Sequence, residues 1–176
     1  MAESSEFSEP SLLEHLDASQ LTCLNETEDH TLKSIVSNRK RNTTAAYLES
    51  DVDEQLLLSI TFNQTVRIRA LALHTKPEHA AQAPARIKLI LNRPTLGFDD
   101  VDSSDIAQEI ELTPEQVREG KPLPLRFVRF QAVNTLHIFV ESNQDGEDQT
   151  RIDAIDIFGT PVAGTRDLSG LKKIED

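Results

Sequence analysis

The sequence predicts an all-β protein, an antiparallel β-sandwich of the jelly-roll type with one or two short helices. Several short segments carry apolar side chains at alternate positions, which is the period of a half-buried strand. The connections between these segments are short, and no predicted helix is long enough for the crossover that parallel strands require. Together these observations favour a sandwich over an α/β fold.

The predicted strands differ in pattern. LLLSITF at 56 to 62 is nearly continuous in apolar residues, whereas VRIRALAL at 66 to 73 changes the phase of its alternation. That change indicates a bulge, or a strand covered on both faces. The other predicted strands lie at 86 to 92, 108 to 112, 125 to 131, 135 to 141 and 151 to 161.

The stretch LRFVRFQAVNTLHIFVESNQ at 125 to 144 contains neither Gly nor Pro. It predicts two strands joined by a tight antiparallel link at 132 to 134. Both faces of each strand carry apolar groups; Phe139, for example, opposes Ile138 and Val140. Such strands belong in the middle of a sheet that is covered on both sides.

Two capping-box patterns predict short helices. TPEQ at 113 to 116 has an N-cap Thr, Pro at the first helical position and Gln three residues after the cap, and Gly120 can end the helix. SLLE at 11 to 14 repeats the pattern, and its leucines with Leu16 would pack a short helix onto the body.

The composition is that of one soluble globular domain, with 176 residues and 38% hydrophobic content. We expect a disordered N-terminus at residues 1–9, a domain at residues 10–165 and a C-terminal tail at residues 166–176. Cys23 is the single cysteine, so no internal disulfide can form. The acidic start lacks the pattern of a secretory signal, and we expect a cytoplasmic and nuclear protein.

The net charge is −12, from 30 Asp and Glu against 18 Lys and Arg. Nucleic acids and anionic membrane surfaces are recognised through concentrated Lys and Arg, so we expect neither as a partner. No apolar run approaches the roughly 20 residues of a membrane-spanning helix. We expect a monomer.

Two acidic runs are candidate cation sites. ESDVDE at 49 to 54 precedes an apolar strand, and its carboxylates could coordinate Ca²⁺. The alternative is a solvated turn that protects a sheet edge. DDVDSSDIAQEIE at 99 to 111 has part of the spacing of a calcium loop, but Asp105 stands where the loop requires Gly, and no helices flank it. We predict no metal site and no cofactor.

The common catalytic motifs are absent from the sequence: G-x-S-x-G, a Gly-rich phosphate loop, H-E-x-x-H and C-x-x-C. The histidines are scattered, and Cys23 has no neighbour at zinc-site spacing. We predict no catalytic residues. An enzyme built on Cys23 with His30 or His137 is a further hypothesis.

Four blocks resemble a known family: CLNE at 23 to 26, LESDVDEQLLLSITFNQTV at 48 to 66, PLRFVRFQAVNTLHIFVESNQ at 124 to 144 and IFGTPV at 157 to 162. In order and spacing they are similar to the PITH domain, the proteasome-interacting module found at the C-terminus of thioredoxin-like proteins and as a stand-alone protein. The resemblance covers about residues 10 to 165.

The resemblance implies a jelly-roll sandwich, similar to galactose-binding-like domains, that docks on the regulatory particle of the 26S proteasome and is not a catalyst. In thioredoxin-like proteins it links a redox domain to the proteasome. The alternative is a ligand- or carbohydrate-binding module, since sandwiches often bind sugars in end loops. With no Trp and only Tyr47 as tyrosine, the sequence offers little for sugar stacking.

The candidate protein-binding residues lie in exposed segments, because a sandwich presents loops at its ends. They are Glu49, Asp51, Asp53 and Glu54 in the acidic turn, and Arg166, Leu168, Leu171, Lys172 and Lys173 in the tail. The tail spacing is typical of a segment that orders on a partner; the alternatives are a helix packed back on the sandwich or a frayed end. The acidic loop at 99 to 105 is a further candidate.

Overall fold

The computed structural model describes residues 10–162, which fold mostly into antiparallel β-sheet with a few short helices. The strands are β1 (Thr22–Leu24), β2 (Leu48–Glu49), β3 (Leu56–His74), β4 (Arg86–Leu91), β5 (Ile106–Glu111), β6 (Leu123–Pro124), β7 (Val133–Val140), β8 (Arg151–Ile152) and β9 (Ala154–Pro161). The α-helices are α1 (Leu32–Val36) and α2 (Pro114–Glu119). Segments of 3-10 helix lie at Leu13–His15, Ala18–Gln20, Pro77–Gln82, Phe98–Asp100 and Phe127–Phe130.

Strand β3 connects the pairings of the seven-stranded sheet, while β2 and β8 pair with each other as a separate two-stranded sheet. Its first half pairs with β1 and β7, its second half pairs with β6 and β9, and β7 continues to β4 and β5. Val66 pairs with both Val133 of β7 and Pro161 of β9. The prediction of separate strands at 56 to 62 and 66 to 73 is therefore wrong, because the chain between them stays extended within β3.

The predicted bulge in the second half of β3 is confirmed. The register of β3 against β9 shifts between Ile68 and Ala70, at the place where the alternation of the sequence changes phase. A second irregularity lies between Thr61 and Val66 in the pairing with β7. These two irregularities divide β3 into segments with different partners.

Both faces of the first half of β3 are covered, which accounts for its nearly continuous apolar sequence. Leu56 and Leu58 belong to the main core on one face, and Leu57 belongs to a smaller core with Phe139 on the other. Leu96 and Phe98, from the connection between β4 and β5, pack against the smaller core. Each fully buried side chain of this kind contributes roughly 1.5–3 kcal/mol to folding.

The predicted strand at 125 to 131 is wrong, whereas the strand predicted at 135 to 141 is confirmed as β7. In this part of the chain, pairing with β3 is limited to Leu123–Pro124, just before the predicted strand. Phe127–Phe130 then forms a 3-10 turn. Phe130 is fully buried while Val128, two residues earlier, is 79% exposed, whereas a strand would place both side chains on one face. The predicted link at 132 to 134 is also wrong, since β7 already begins at Val133.

The two capping boxes have different outcomes. In α2 the Thr113 hydroxyl accepts from the Gln116 amide at 3.2 Å, the Gln116 side chain accepts from the Thr113 amide at 2.9 Å, and Gly120 ends the helix at φ +65°. The segment from Ser11 forms only the 3-10 turn Leu13–His15, although its leucines are buried as predicted. None of the described helices is both long and apolar enough to cross a membrane.

Gly159 permits the closest contact between β9 and β3. A Cβ atom built at this position would overlap the carbonyl oxygen of Arg67 and would lie 3.0 Å from the Leu12 side chain. Backbone atoms of a central strand cannot move away without breaking the pairing that they support. The glycine in the IFGTPV block is therefore required by packing.

We expect Gly159→Ala to lower the free energy of unfolding by about 3 kcal/mol, because the added methyl group overpacks two paired strands. Urea unfolding followed by circular dichroism measures the loss. Gly97→Ala is the matched control, since a Cβ there meets its nearest atom at an ordinary 3.6 Å. Equal stabilities of the two variants would contradict this account.

Candidate functional site

The acidic turn predicted from the sequence lies at one end of the sandwich, where β3 begins and β7 ends. Leu56 pairs with Val140 at this end. We call the two segments that meet here, residues 49–55 and 141–149, the acidic end. They enclose an open pocket of about 350 Å³. Its lining residues are Val52, Asp53, Glu54, Ser142, Asn143, Gly146, Glu147, Asp148 and Gln149.

The acidic end carries carboxylates and no basic residue within its two segments. The carboxylates are Glu49, Asp51, Asp53, Glu54, Glu141, Asp145, Glu147 and Asp148. The sequence predictions named the first four and missed the last four, which lie in the loop after β7. The Asp145-Gly146 pair is the signal that marks this loop as a turn.

Asn25 holds the acidic turn in place from the end of β1. It adopts a left-handed conformation at φ +72°, which places its side chain beneath the turn. Its amide nitrogen donates to the Asp53 carboxylate at 2.9 Å and to the Gln55 carbonyl at 2.7 Å. Its amide oxygen accepts from the backbone of Val52 at 3.1 Å. One side chain of the CLNE block thus sets the shape of the acidic turn.

A second asparagine, Asn143, organises the facing loop. It is 6% exposed, donates to the Glu147 carbonyl at 2.9 Å and accepts from the Glu147 amide at 2.7 Å. Thr150 links the two segments, because its hydroxyl donates to the Glu54 carbonyl at 2.6 Å and its amide donates to the Ser50 hydroxyl at 2.9 Å. The acidic end is therefore pre-organised by its own hydrogen bonds.

Val52 projects from the acidic end and is 84% exposed. Val52 lies between Asp51 and Asp53 in the sequence, and so exposed a side chain makes few contacts within its own chain. In the part of the chain that the structure describes, no three Asp, Glu, His or Cys side chains come together to hold a metal ion.

Tyr47 is held in a stack next to the acidic end. Its ring lies 4.0 Å from the His30 ring, nearly parallel to it, and the Arg151 guanidinium carbon lies 3.5 Å from the Tyr47 centroid. At such distances the two groups must occupy opposite faces of the ring. Arg151 also forms a buried ion pair with Asp153 at 3.0 Å. Both faces of the single tyrosine are consequently occupied.

Cys23 and the histidines are not arranged for catalysis in the described chain. Burial raises the pKa of the Cys23 thiol well above its ordinary value, and the charge and hydrogen bond of Glu26 raise that pKa further. His30 stacks on Tyr47, while His137 lies 2.8 Å from the Ser59 hydroxyl and 3.1 Å from the Arg93 carbonyl. Neither histidine hydrogen-bonds Cys23.

The Ser59 and His137 pair has the hydrogen bond of a nucleophile with its base. His137 is only 2% exposed, however, and its second ring nitrogen meets the backbone of Arg93 instead of a carboxylate. Burial lowers the pKa of His137 from its ordinary value. The pair therefore holds the connection after β4 against the sheet.

The tail candidates Arg166, Leu168, Leu171, Lys172 and Lys173 lie outside the described residues, as does the segment 1–9. Their assignment stays a prediction.

Solved structures place this fold in a known class, the galactose-binding-like jelly-roll sandwiches. The family 32 CBM from Clostridium perfringens NanJ, in complex with galactose, superposes with a TM-score of 0.61 at 8% identity, over 85% of this chain and 98% of that one. The SusE-like protein BT2857 superposes with a TM-score of 0.59 at 14% identity, over 84% and 67% of the two chains. At such identities the likeness concerns the fold alone.

The chain belongs to the PITH domain family, whose model matches residues 2–176. Thioredoxin-like protein 1 of Schizosaccharomyces pombe is 40% identical over 158 residues, which are 89% of this chain and 53% of that protein. The PITH domain-containing protein CG6153 of Drosophila melanogaster is 34% identical over 86% of this chain and 70% of its own. The chain thus spans about half the length of the thioredoxin-like relative.

We expect Asn25→Gly to loosen the acidic turn, because glycine keeps the positive φ but loses the side-chain bonds. The backbone amide of Val52 should exchange its hydrogen faster, and the free energy of unfolding should fall by about 2 kcal/mol. Asn92→Gly is a matched control, since Asn92 also has positive φ (+60°) and accepts from Asn134 at 2.8 Å near the other end of β7. Unchanged exchange at Val52 in Asn25→Gly would contradict the role given to Asn25.

We expect native Cys23 to react with iodoacetamide at least ~10-fold more slowly than the unfolded chain, because its raised pKa leaves little thiolate. Glu26→Gln should speed the native reaction, since it removes the carboxylate charge. Glu28→Gln, an exposed change of equal charge, should leave the rate unaltered. A native thiol more reactive than the unfolded one would restore the enzyme hypothesis.

Proposed function

We propose that this chain is a non-catalytic protein-binding module that docks on the regulatory particle of the 26S proteasome, in the cytoplasm and nucleus. In thioredoxin-like relatives, the same module would link a redox domain to that particle. Membership of the PITH domain family is the observation that carries the proposal. The acidic end is the surface through which we propose docking.

The acidic end has the physical properties of a docking surface. Its loops are fixed by Asn25, Asn143 and Thr150, so little conformational entropy is lost on binding. Val52 supplies exposed apolar area between Asp51 and Asp53. Such a surface is complementary to a basic patch that contains a shallow apolar site.

The carbohydrate-binding alternative has the fold likeness in its favour. The lining of the pocket at the acidic end includes no aromatic residue, although stacking on an aromatic ring is the usual way to hold a sugar. Tyr47 has both ring faces occupied by His30 and Arg151. The side chains therefore favour a protein partner over a sugar.

Purified 26S proteasome and the full chain test the proposal in a binding assay at about physiological salt. We expect saturable binding by the wild type and an association rate roughly 10-fold lower for Asp51→Lys combined with Asp148→Lys. Both side chains are exposed, so the folded state should persist. Crosslinking mass spectrometry on the same mixture would identify the subunit contacted.

The matched control is Asp99→Lys combined with Asp102→Lys, which makes the same change of charge in the second acidic loop. Equal losses of association rate for the two double variants would refute docking through the acidic end alone, since either general electrostatics or a contact of the second loop would produce them. No binding by the wild type would refute the proposed function.

A chain ending at residue 165 tests the proposed contribution of the tail. Saturable galactose binding would favour the sugar-binding alternative.

A further inference from the structure

A basic surface lies near the middle of β3 and the start of β7, away from the acidic end. We call it the arginine surface, and its members are Arg67, Arg69, Arg126, Val128 and Arg129. The two strands are antiparallel, with Leu56 opposite Val140 at the acidic end and Val66 opposite Val133 at the other. At roughly 3.3 Å per residue, about 35 Å of strand separates Leu56 from Arg67.

The arginine surface is built from two segments that are fixed against each other. The Arg69 guanidinium carbon lies 3.8 Å from the centroid of the Phe127 ring, a cation–π contact. The Leu125 amide donates to the Arg69 carbonyl at 2.9 Å, and the Arg126 amide donates to the Gln108 side chain at 2.7 Å. The surface therefore has a defined geometry before any partner binds.

Backbone conformation directs an apolar group into this cationic surface. The 3-10 turn Phe127–Phe130 buries Phe130 completely and leaves Val128 79% exposed, between Arg126 and Arg129 in the sequence. On β3, Arg67 and Arg69 keep solvent exposure while Ile68 between them is fully buried. Val128 is therefore an exposed apolar side chain with exposed arginines two residues before it and one residue after it.

The charge of the arginine surface contrasts with that of the whole chain. The segments 66–69 and 124–131 contain four arginines and no Asp or Glu, in a chain of net charge −12. Asp105 of a neighbouring loop accepts from Arg129 at 2.7 Å, and both side chains are exposed. An exposed pair of this kind contributes only about 0–1 kcal/mol, so a partner carboxylate can replace Asp105.

We propose that the arginine surface binds an acidic segment of a partner protein, with carboxylates on the guanidinium groups and an apolar side chain on Val128. Guanidinium groups match carboxylates in geometry, and the contact between Arg129 and Asp105 already shows this mode within the chain. Phosphate backbones are disfavoured, because the remaining surface of the chain repels them. The inference goes beyond docking through the acidic end, since it concerns a second surface and a partner of opposite charge.

The test uses the isotope-labelled full chain and a short fluorescent peptide of glutamates with two central leucines, in about 0.15 M NaCl. The changes in backbone amide chemical shift should be largest at residues 126–131 and should reach a plateau as peptide is added. We expect the Kd of the peptide to rise roughly 10-fold in Arg126→Glu and about 3-fold in Val128→Ser. Arg118→Glu, an exposed arginine of α2 changed by the same charge, should alter Kd less than about 2-fold.

Several results would overturn the proposal. These are the absence of saturation up to about 1 mM peptide, or an equal effect of Arg118→Glu and Arg126→Glu. Tighter binding of a DNA duplex or of anionic vesicles would reassign the surface to phosphate. Concentration-dependent sedimentation that Arg126→Glu abolishes would reassign it to the acidic end of a second copy. Because no proteasome is present, these outcomes are independent of the proposed function.

Discussion

One strand, β3, constrains the seven-stranded sheet on which the rest of the fold packs. It pairs with β1 and β7 in its first half and with β6 and β9 in its second, so a shift of one residue in its register would turn apolar side chains outward in two sets of pairings at once. The irregularities near Thr61 and Ile68 allow the change of partners without ending the strand. The close approach of Gly159 to Arg67 then fixes β9 against it.

The same strand separates two surfaces of opposite charge. The acidic end surrounds the start of β3, and the arginine surface includes Arg67 and Arg69 near its middle. The separation of about 35 Å far exceeds the roughly 8 Å screening length at physiological salt, so the two surfaces are electrostatically independent of each other. The rigid sheet between them fixes the distance at which two partners could be held.

Sequence patterns predicted the fold class, the α2 cap and most strands, because alternation and capping are local properties. They failed at 125 to 131, where alternating apolar residues also fit a 3-10 turn that buries Phe130 and exposes Val128. The predicted break between two strands is wrong because β3 is paired on either side of the polar NQT segment, at Thr61 and at Val66, and the segment between them stays extended. In both segments, contacts with parts of the chain that are distant in sequence determine the conformation, and a local pattern does not contain them.

The candidate site was predictable only in part. Glu49 to Glu54 form an evident acidic run, but their proximity to Glu147 and Asp148 depends on where β7 ends relative to β3. The supporting role of Asn25 could not be predicted, since its bonds reach residues more than 25 positions away. The arginine surface likewise joins segments that are distant in sequence.

The stack of His30, Tyr47 and Arg151 has a practical consequence. The chain has no Trp and one Tyr, so Tyr47 dominates its near-ultraviolet absorption and emission. Its ring is clamped between an imidazole and a guanidinium, next to the β2–β8 pair that supports the acidic end. Tyr47 is thus an intrinsic spectroscopic probe beside the acidic end, and changes in its absorption or emission would report binding there without an attached dye.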